Sequence, residues 1–194
     1  MFKPILALLL AATLSACSTT SVGLKYAAPP ALVKASATAP SMLVGTFADK
    51  RGEPATWLGA IRGGYGNALK NLESDRPVSE LVQAAFADGL RARGVTPNQP
   101  TSQFQITGTI KKLDCNQIVR REANVEIEVA VLDKAGNQRF IKTYSASNLD
   151  GSALSLSSGV FASVDDLRGT LERTLRETID KALDDSAMRA ALQM

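Results

Sequence analysis

Histidine is missing from all 194 residues. Its absence removes the commonest general base, the commonest zinc ligand and every nucleophile that depends on an imidazole partner. On that ground the chain is read as a non-enzyme without a metal site. Cysteine is scarce, with Cys17 and Cys115 the only two, so no disulfide framework of the kind that staples small secreted domains is available. Neither sign of charge dominates: 22 Lys and Arg stand against 19 Asp and Glu. A nucleic-acid-binding face needs clustered basic residues, so no nucleic-acid partner is expected. The pairs Lys111-Lys112 and Arg120-Arg121 read as solvated strand ends or turns. The apolar run from Ile5 to Thr13 is too short for a membrane span, which needs about 20 residues.

What that run does have is the layout of a signal peptide. Lys3 is the only charge ahead of it, and small residues close it. It ends on Leu14-Ser15-Ala16-Cys17, which resembles the lipobox of bacterial lipoprotein precursors. The resemblance implies that residues 1–16 are removed and that Cys17 carries a thioether-linked diacylglycerol and an N-acyl chain such as palmitate. Several acyl chains at ~0.8 kcal/mol per buried methylene hold a protein far more firmly than one myristoyl group. Ser18 occupies the place where an aspartate implies inner-membrane retention, so the periplasmic face of the outer membrane is the expected location. Without Lys3 the balance becomes 21 basic against 19 acidic residues, a charge of +2. Cys115 is then left without a partner and reads as a small buried hydrophobe.

Residues 17–41, rich in Ser, Thr, Ala and Pro, read as the lipidated N-terminus and a flexible tether, because Pro29, Pro30 and Pro40 break any helix. Residues 42–194 are the size of one periplasmic domain. Met42 to Phe47 reads as a first strand and Trp57 to Ile61 as a second, with Gly63, Gly64 and Gly66 breaking the pattern. Pro77 pre-sets a helix whose stripe is Val78, Leu81, Val82, Ala85, Phe86 and Leu90, and Gly94 stops it. From Phe104 the period changes to two, through Ile106, Gly108 and Ile110, then Val125, Ile127, Val129 and Val131. Asp133 to Asn137 has hairpin chemistry, and Arg139 to Ala146 returns as a strand. Ser163 caps a long helix with the stripe Val164, Leu167, Leu171, Leu175, Ile179 and Ala182, and Ser186 to Leu192 adds a turn or two. Two helical stripes and a sheet with one apolar face predict an α+β two-layer sandwich: an antiparallel sheet of about four strands with two amphipathic helices on one face.

This order, and particular residues in it, resembles the YajG family of uncharacterised bacterial lipoproteins. The matching features are the lipobox, the Asp49-x-Arg51 pair after Val44, Arg93-Gly94, Pro97-Asn98, Ala135-Gly136-Asn137, Lys142-x-Tyr144-x-Ala146 and Asp184-Asp185. The resemblance implies an envelope lipoprotein and supplies no mechanism. This chain departs from the pattern in the longer segment Glu53 to Asn71, which holds Trp57 and the glycine cluster.

Four groups of residues are candidate sites. Gly59-x-x-x-Gly63-Gly64-x-Gly66 lacks the Gly-Lys-Ser/Thr ending of a phosphate loop, so a hairpin or loop is expected instead. Trp57 and Tyr65 flank it as a possible partner-binding patch, set against Trp57 simply covering the core edge. Asp49 and Arg51 are expected to brace a loop, since a lone carboxylate without a poised base or metal is not a catalytic constellation. Glu126 and Glu128 read as the solvated face of a half-buried strand. The expected function is that of a membrane-anchored, non-catalytic interaction or assembly factor whose partner is another envelope protein. The alternative is a lipid or glycolipid binding auxiliary, which requires an apolar cavity between sheet and helices. Apart from the covalent lipid, no cofactor is expected.

Overall fold

The computed structural model describes residues 18–27, 41–99, 101–151 and 163–192. The signal peptide, the lipobox residues Leu14, Ser15 and Ala16, and Cys17 lie outside the described residues, as do residues 28–40 of the expected tether. The elements are β1 Ser18–Val22, β2 Ser41–Asp49, β3 Trp57–Arg62, β4 Ala68–Ser74, α1 Val78–Ala92, β5 Thr96–Pro97, β6 Phe104–Gln117, β7 Arg121–Asp133, β8 Gln138–Asp150, α2 Val164–Leu183 and α3 Ser186–Ala191.

The strands form one mixed, eight-stranded sheet accompanied by three helices, which corrects the expected antiparallel sheet of about four strands. The β3–β4, β6–β7 and β7–β8 pairs are antiparallel. The β1–β4, β2–β5, β2–β6 and β3–β6 pairs are parallel. The physical reason is the length of β6. Its 14 residues let β2 pair along Gln105 to Ile110 while β3 pairs along Cys115 to Gln117. Two further strands gave no period-two signal. β4 reads Ala-Leu-Lys-Asn-Leu-Glu-Ser and buries only Leu72 and Ser74, and β1 is the polar run Ser-Thr-Thr-Ser-Val.

β1 falls inside the segment expected to be a tether. It adds to the sheet edge beside β4, Val22 joins the core, and the nine-tenths buried Tyr26 that follows donates its hydroxyl to Asp180 at 2.6 Å.

The apolar face of the sheet carries the helices. α1 packs against β2, α2 packs across β6, β7 and β8, and the two helices touch each other. Phe47 of β2 stacks on Phe86 of α1 with ring centroids 4.8 Å apart. The stripe of α2 buries Leu167, Leu171, Leu175 and Ile179 against the sheet, each such side chain contributing about 1.5–3 kcal/mol. Three threonines of the same stripe, Thr170, Thr174 and Thr178, are buried because each hydroxyl donates to the carbonyl four residues back.

Within β6 the alternation changes phase. Ile106 and Ile110 face the core, then Leu113, Cys115 and Gln117 do. Ile110 is opposite Ile127 and Lys112 opposite Glu126, so Lys111 is the extra residue of a β-bulge. The turn between β7 and β8 is built by Asp133, whose carboxylate accepts from the Ala135 and Asn137 amides, with Gly136 at a φ of 84°.

Candidate functional site

The sheet face turned away from the helices carries the site. Because Leu113, Cys115 and Gln117 point to the core, their β6 neighbours Lys112, Asp114 and Asn116 stand on the opposite face. On β7 the same alternation, with Ala123 and Val125 inside, puts Glu122 and Asn124 beside them. The bulge at Lys111 keeps this row in phase over the second half of β6. The loop after β2 supplies Arg51 and Glu53, β3 supplies Trp57 and Arg62 at its two ends, and the β6–β7 turn adds Ile118 and Arg120. Together they line an open groove of about 670 Å³.

The groove is polar and ordered by its own hydrogen bonds. Asn116 donates to Asp114 at 3.2 Å, Asn124 donates to Glu122 at 3.2 Å and Ser147 donates to Asn124 at 2.9 Å. Arg62 reaches Asn116 at 3.4 Å and the Gly66 carbonyl at 3.1 Å. Burial pushes the Asp114 carboxyl above its ordinary value, with Lys112 and the Asn116 and Asn124 amides offsetting part of the rise. Of the basic lining residues, Arg51 is engaged by Asp49 and Lys111 by Glu128, which leaves Arg62, Lys112 and Arg120 beside Glu53, Asp114 and Glu122.

Asp49 and Arg51 set the shape of one wall. The guanidinium and carboxylate meet at 2.9 and 2.8 Å, and the Arg51 amide adds a bond to Asp49. Arg51 also donates to the carbonyls of Trp57 and Leu113 at 2.7 and 3.1 Å, tying loop, β3 and β6 together. With the Arg51 side chain 3% exposed, this is a brace and not a free cation. Burial raises the Asp49 carboxyl, but the Arg51 bonds outweigh it and leave the group below the usual carboxylate range.

Trp57 and Tyr65 do not form one patch. Trp57 opens β3 and lines the groove half-buried, whereas Tyr65 lies beyond the other end of β3, fully exposed in the β3–β4 turn. The glycine cluster makes that turn, with Gly63 accepting from Gly66 and donating to Asn67. Gly59 serves close strand approach instead. A Cβ there would sit 1.8 Å from the Cys115 carbonyl oxygen, so only glycine permits β3 to come so near β6. Glu128 pairs with Lys111 at 2.8 Å. Among the described residues no group of His, Cys, Asp or Glu could hold a metal ion. Cys115 is fully buried, and burial pushes its thiol up to about 12.

The groove residues Arg62, Lys112, Asp114, Asn116, Arg120, Glu122 and Asn124 escape a linear reading because strand pairing alone brings them together. The available signal was the polar row Lys112, Asp114, Asn116 alternating with apolar residues. The remaining motif residues of the sequence stand elsewhere. Pro97 pairs with Met42, and the Asn98 side chain accepts from the Val44 amide at 3.0 Å. Arg93 grips Asp180 and Asp184, and Lys142 grips Asp185.

These features define a mixed-sheet domain with helices on one face and an open charged groove on the other. The chain belongs to a family of uncharacterised lipoproteins, whose family model matches residues 29–193. It is therefore a lipoprotein of the membrane-anchored envelope class, and the family indicates no cofactor. No curated protein matches the sequence. Among solved structures, a Xanthomonas campestris protein superposes with a TM-score of 0.62 at 9% identity, covering 91% of this chain and 98% of its own. An uncharacterised protein gives 0.53 at 10% identity, covering 85% and 95%. A candidate lipoprotein of Caulobacter crescentus gives 0.42 at 20% identity, covering 60% and 85%. At these identities the first two show a likeness of fold alone.

Proposed function

We propose that this lipoprotein is a non-catalytic interaction factor of the envelope, YajG-like in its motifs, that faces the periplasm from the outer membrane and holds a partner protein in the groove beside Trp57. The observation that carries the reading is the groove itself. It is open, lined by charged and amide side chains, and walled on one side by the chain's only tryptophan. A slot of that kind suits an extended partner segment with apolar side chains and charges of both signs, where an aromatic anchor is ringed by charge. The sheet–helix interface is occupied by one continuous hydrophobic cluster, which favours this reading over a lipid carrier with an apolar cavity. Lipidation of Cys17 places the domain at the membrane, and Ser18 after it favours the outer one.

The test is partner recovery after crosslinking in cells, comparing the lipidated wild type with Trp57→Ala and Tyr65→Ala. Loss of a hot-spot aromatic costs ~2 kcal/mol, about thirtyfold in affinity. Trp57→Ala is expected to lose capture on that scale with its melting temperature little changed, and Tyr65→Ala to keep it. Unchanged capture by Trp57→Ala, or lipid in place of protein on the purified chain, overturns the reading.

A further inference from the structure

The geometry points to one end of the sheet as a membrane-docking surface that seats the domain directly on the bilayer holding the Cys17 acyl chains. This rests on the reading of Cys17 as the lipidated residue. Ser18 follows Cys17 directly and already opens β1. One residue of extended chain reaches only ~3.3–3.6 Å. Acyl chains on Cys17 therefore enter the bilayer beside the first residue of the sheet, not at the end of a long leash.

Strand register says what else lies there. Ser18 pairs with Lys70 near the start of β4, and Arg62 pairs with Ala68 across the β3–β4 turn. Ile61 is level with Gln117, and Arg121 with Asp150. The start of β1, the β3–β4 turn, the β6–β7 turn and the end of β8 thus share one end of the sheet. They are spread over the strand order β1-β4-β3-β6-β7-β8, about 24 Å at ~4.8 Å per strand.

That end also collects the exposed apolar side chains. Tyr65 at 103%, Ile118 at 50%, Val119 at 49% and Leu149 at 52% exposure lie on it, while among the described residues only Leu43 and Ile141 are comparable elsewhere. Any one of these alone is ordinary. Gathered at turn tips beside Arg62 and Arg120, which stand where the groove opens at this same end, they have the composition of an interfacial contact: an amphipathic ring at headgroup level, aliphatic groups below it and cations toward anionic phosphates. Glu122 and Asp166 lie at the same end, Asp166 held by Arg121 at 2.8 Å. The rim is thus mixed in charge. The covalent lipid supplies the affinity, and this surface sets the domain's orientation.

The experiment uses the full lipidated chain in vesicles of phosphatidylethanolamine and phosphatidylglycerol. Tyr65→Cys, Val119→Cys and Ile141→Cys each carry an environment-sensitive thiol fluorophore, Cys115 being buried. Labels at 65 and 119 are expected to shift to the blue and to be quenched by spin-labelled lipid several-fold more than the label at 141. Equal quenching at the three sites overturns the proposal. So does shielding of the 65 and 119 labels without vesicles in a soluble Cys17→Ser form, rising with concentration, which assigns this end to a second copy of the chain. The mass of the N-terminal peptide separates the two readings. With acyl chains present and labels wet, docking alone fails; with acyl chains absent, the anchor reading fails and docking with it.

Discussion

Arg93 shows how the fold uses its few buried charges. Its side chain is 8% exposed, donates to Asp180 at 2.9 Å, to Asp184 at 2.8 Å, to the Tyr26 hydroxyl at 3.1 Å and to the Gly89 carbonyl at 3.0 Å. One guanidinium thereby joins the segment after β1, the end of α1 and the end of α2. Arg93→Met would leave Asp184 and the Tyr26 oxygen without this donor and Asp180 with the Tyr26 hydroxyl alone, and a broken buried pair costs about 3–5 kcal/mol. A loss of about 3 kcal/mol is expected in urea unfolding, the lower end because Asp184 is partly in water; a loss under about 1 kcal/mol would refute the assignment. Asp185, beside this node, is held down to about 2, chiefly by the Lys142 hydrogen bond, with burial opposing and the Ala187 and Met188 amides adding to the fall. A carboxyl depressed in the folded state stabilises it above the unfolded value of ~3.9 and loses that contribution as pH falls toward the folded value. Asp49, Asp150 and Asp184 are lowered as well, so stability is expected to decline between about pH 4 and pH 2. Lys142→Met should shrink that acid-dependent loss, measured as urea midpoints at about pH 6 and pH 3. An unchanged difference between the two midpoints would count against it.

At the scale of elements, strong helical periodicity was easy to read and weak strands were not. The stripe Val78, Leu81, Val82, Ala85, Phe86 and Leu90 is buried in α1, between Pro77 and a Gly94 with a φ of 74°. Ser163 caps α2 by accepting from the Asp165 amide. These signals are local: one turn of chain contains both the cap and its partner. β1 and β4 hold their places through pairing and a few buried side chains, so their sequences carry little alternation. The bulge at Lys111 is hidden for a related reason, since it shows only as a three-residue step from Ile110 to Leu113. β1 also alters what truncation should do. Read as a tether, residues 17–41 could be removed and a chain beginning near Ser41 would keep the whole cooperative unit. Removing residues 18–27 in fact deletes an edge strand and the buried Val22 and Tyr26, each contributing about 1.5–3 kcal/mol. Compared with the Cys17→Ser chain, the truncated one should unfold with about 3–6 kcal/mol less stability and a smaller denaturant slope, and equal midpoints would return β1 to the role of a tether.

For the molecule as a whole, the motif residues legible in the sequence and those that carry the groove are largely different sets. Asn98, Arg93, Lys142, Asp184 and Asp185 hold strands and helices together, and the Asp49–Arg51 pair serves both sets, as a brace that shapes the wall. The lipoprotein family, shown by the family model over residues 29–193, leaves the partner unnamed. The groove depends on β6–β7 pairing and on side chains from the Glu53 to Asn71 segment, so no linear motif exposes it. Occupation of that groove by a partner in the cell is therefore the decisive point. The most direct measurement places a photo-crosslinking residue at Lys112, inside the groove, or at Ile141, on the exposed far part of the same sheet, in the lipidated protein in living cells. The account predicts a discrete protein adduct from position 112 that disappears when Trp57→Ala is added, and none from position 141. No adduct from position 112, or the same adduct from both positions regardless of Trp57, would contradict it.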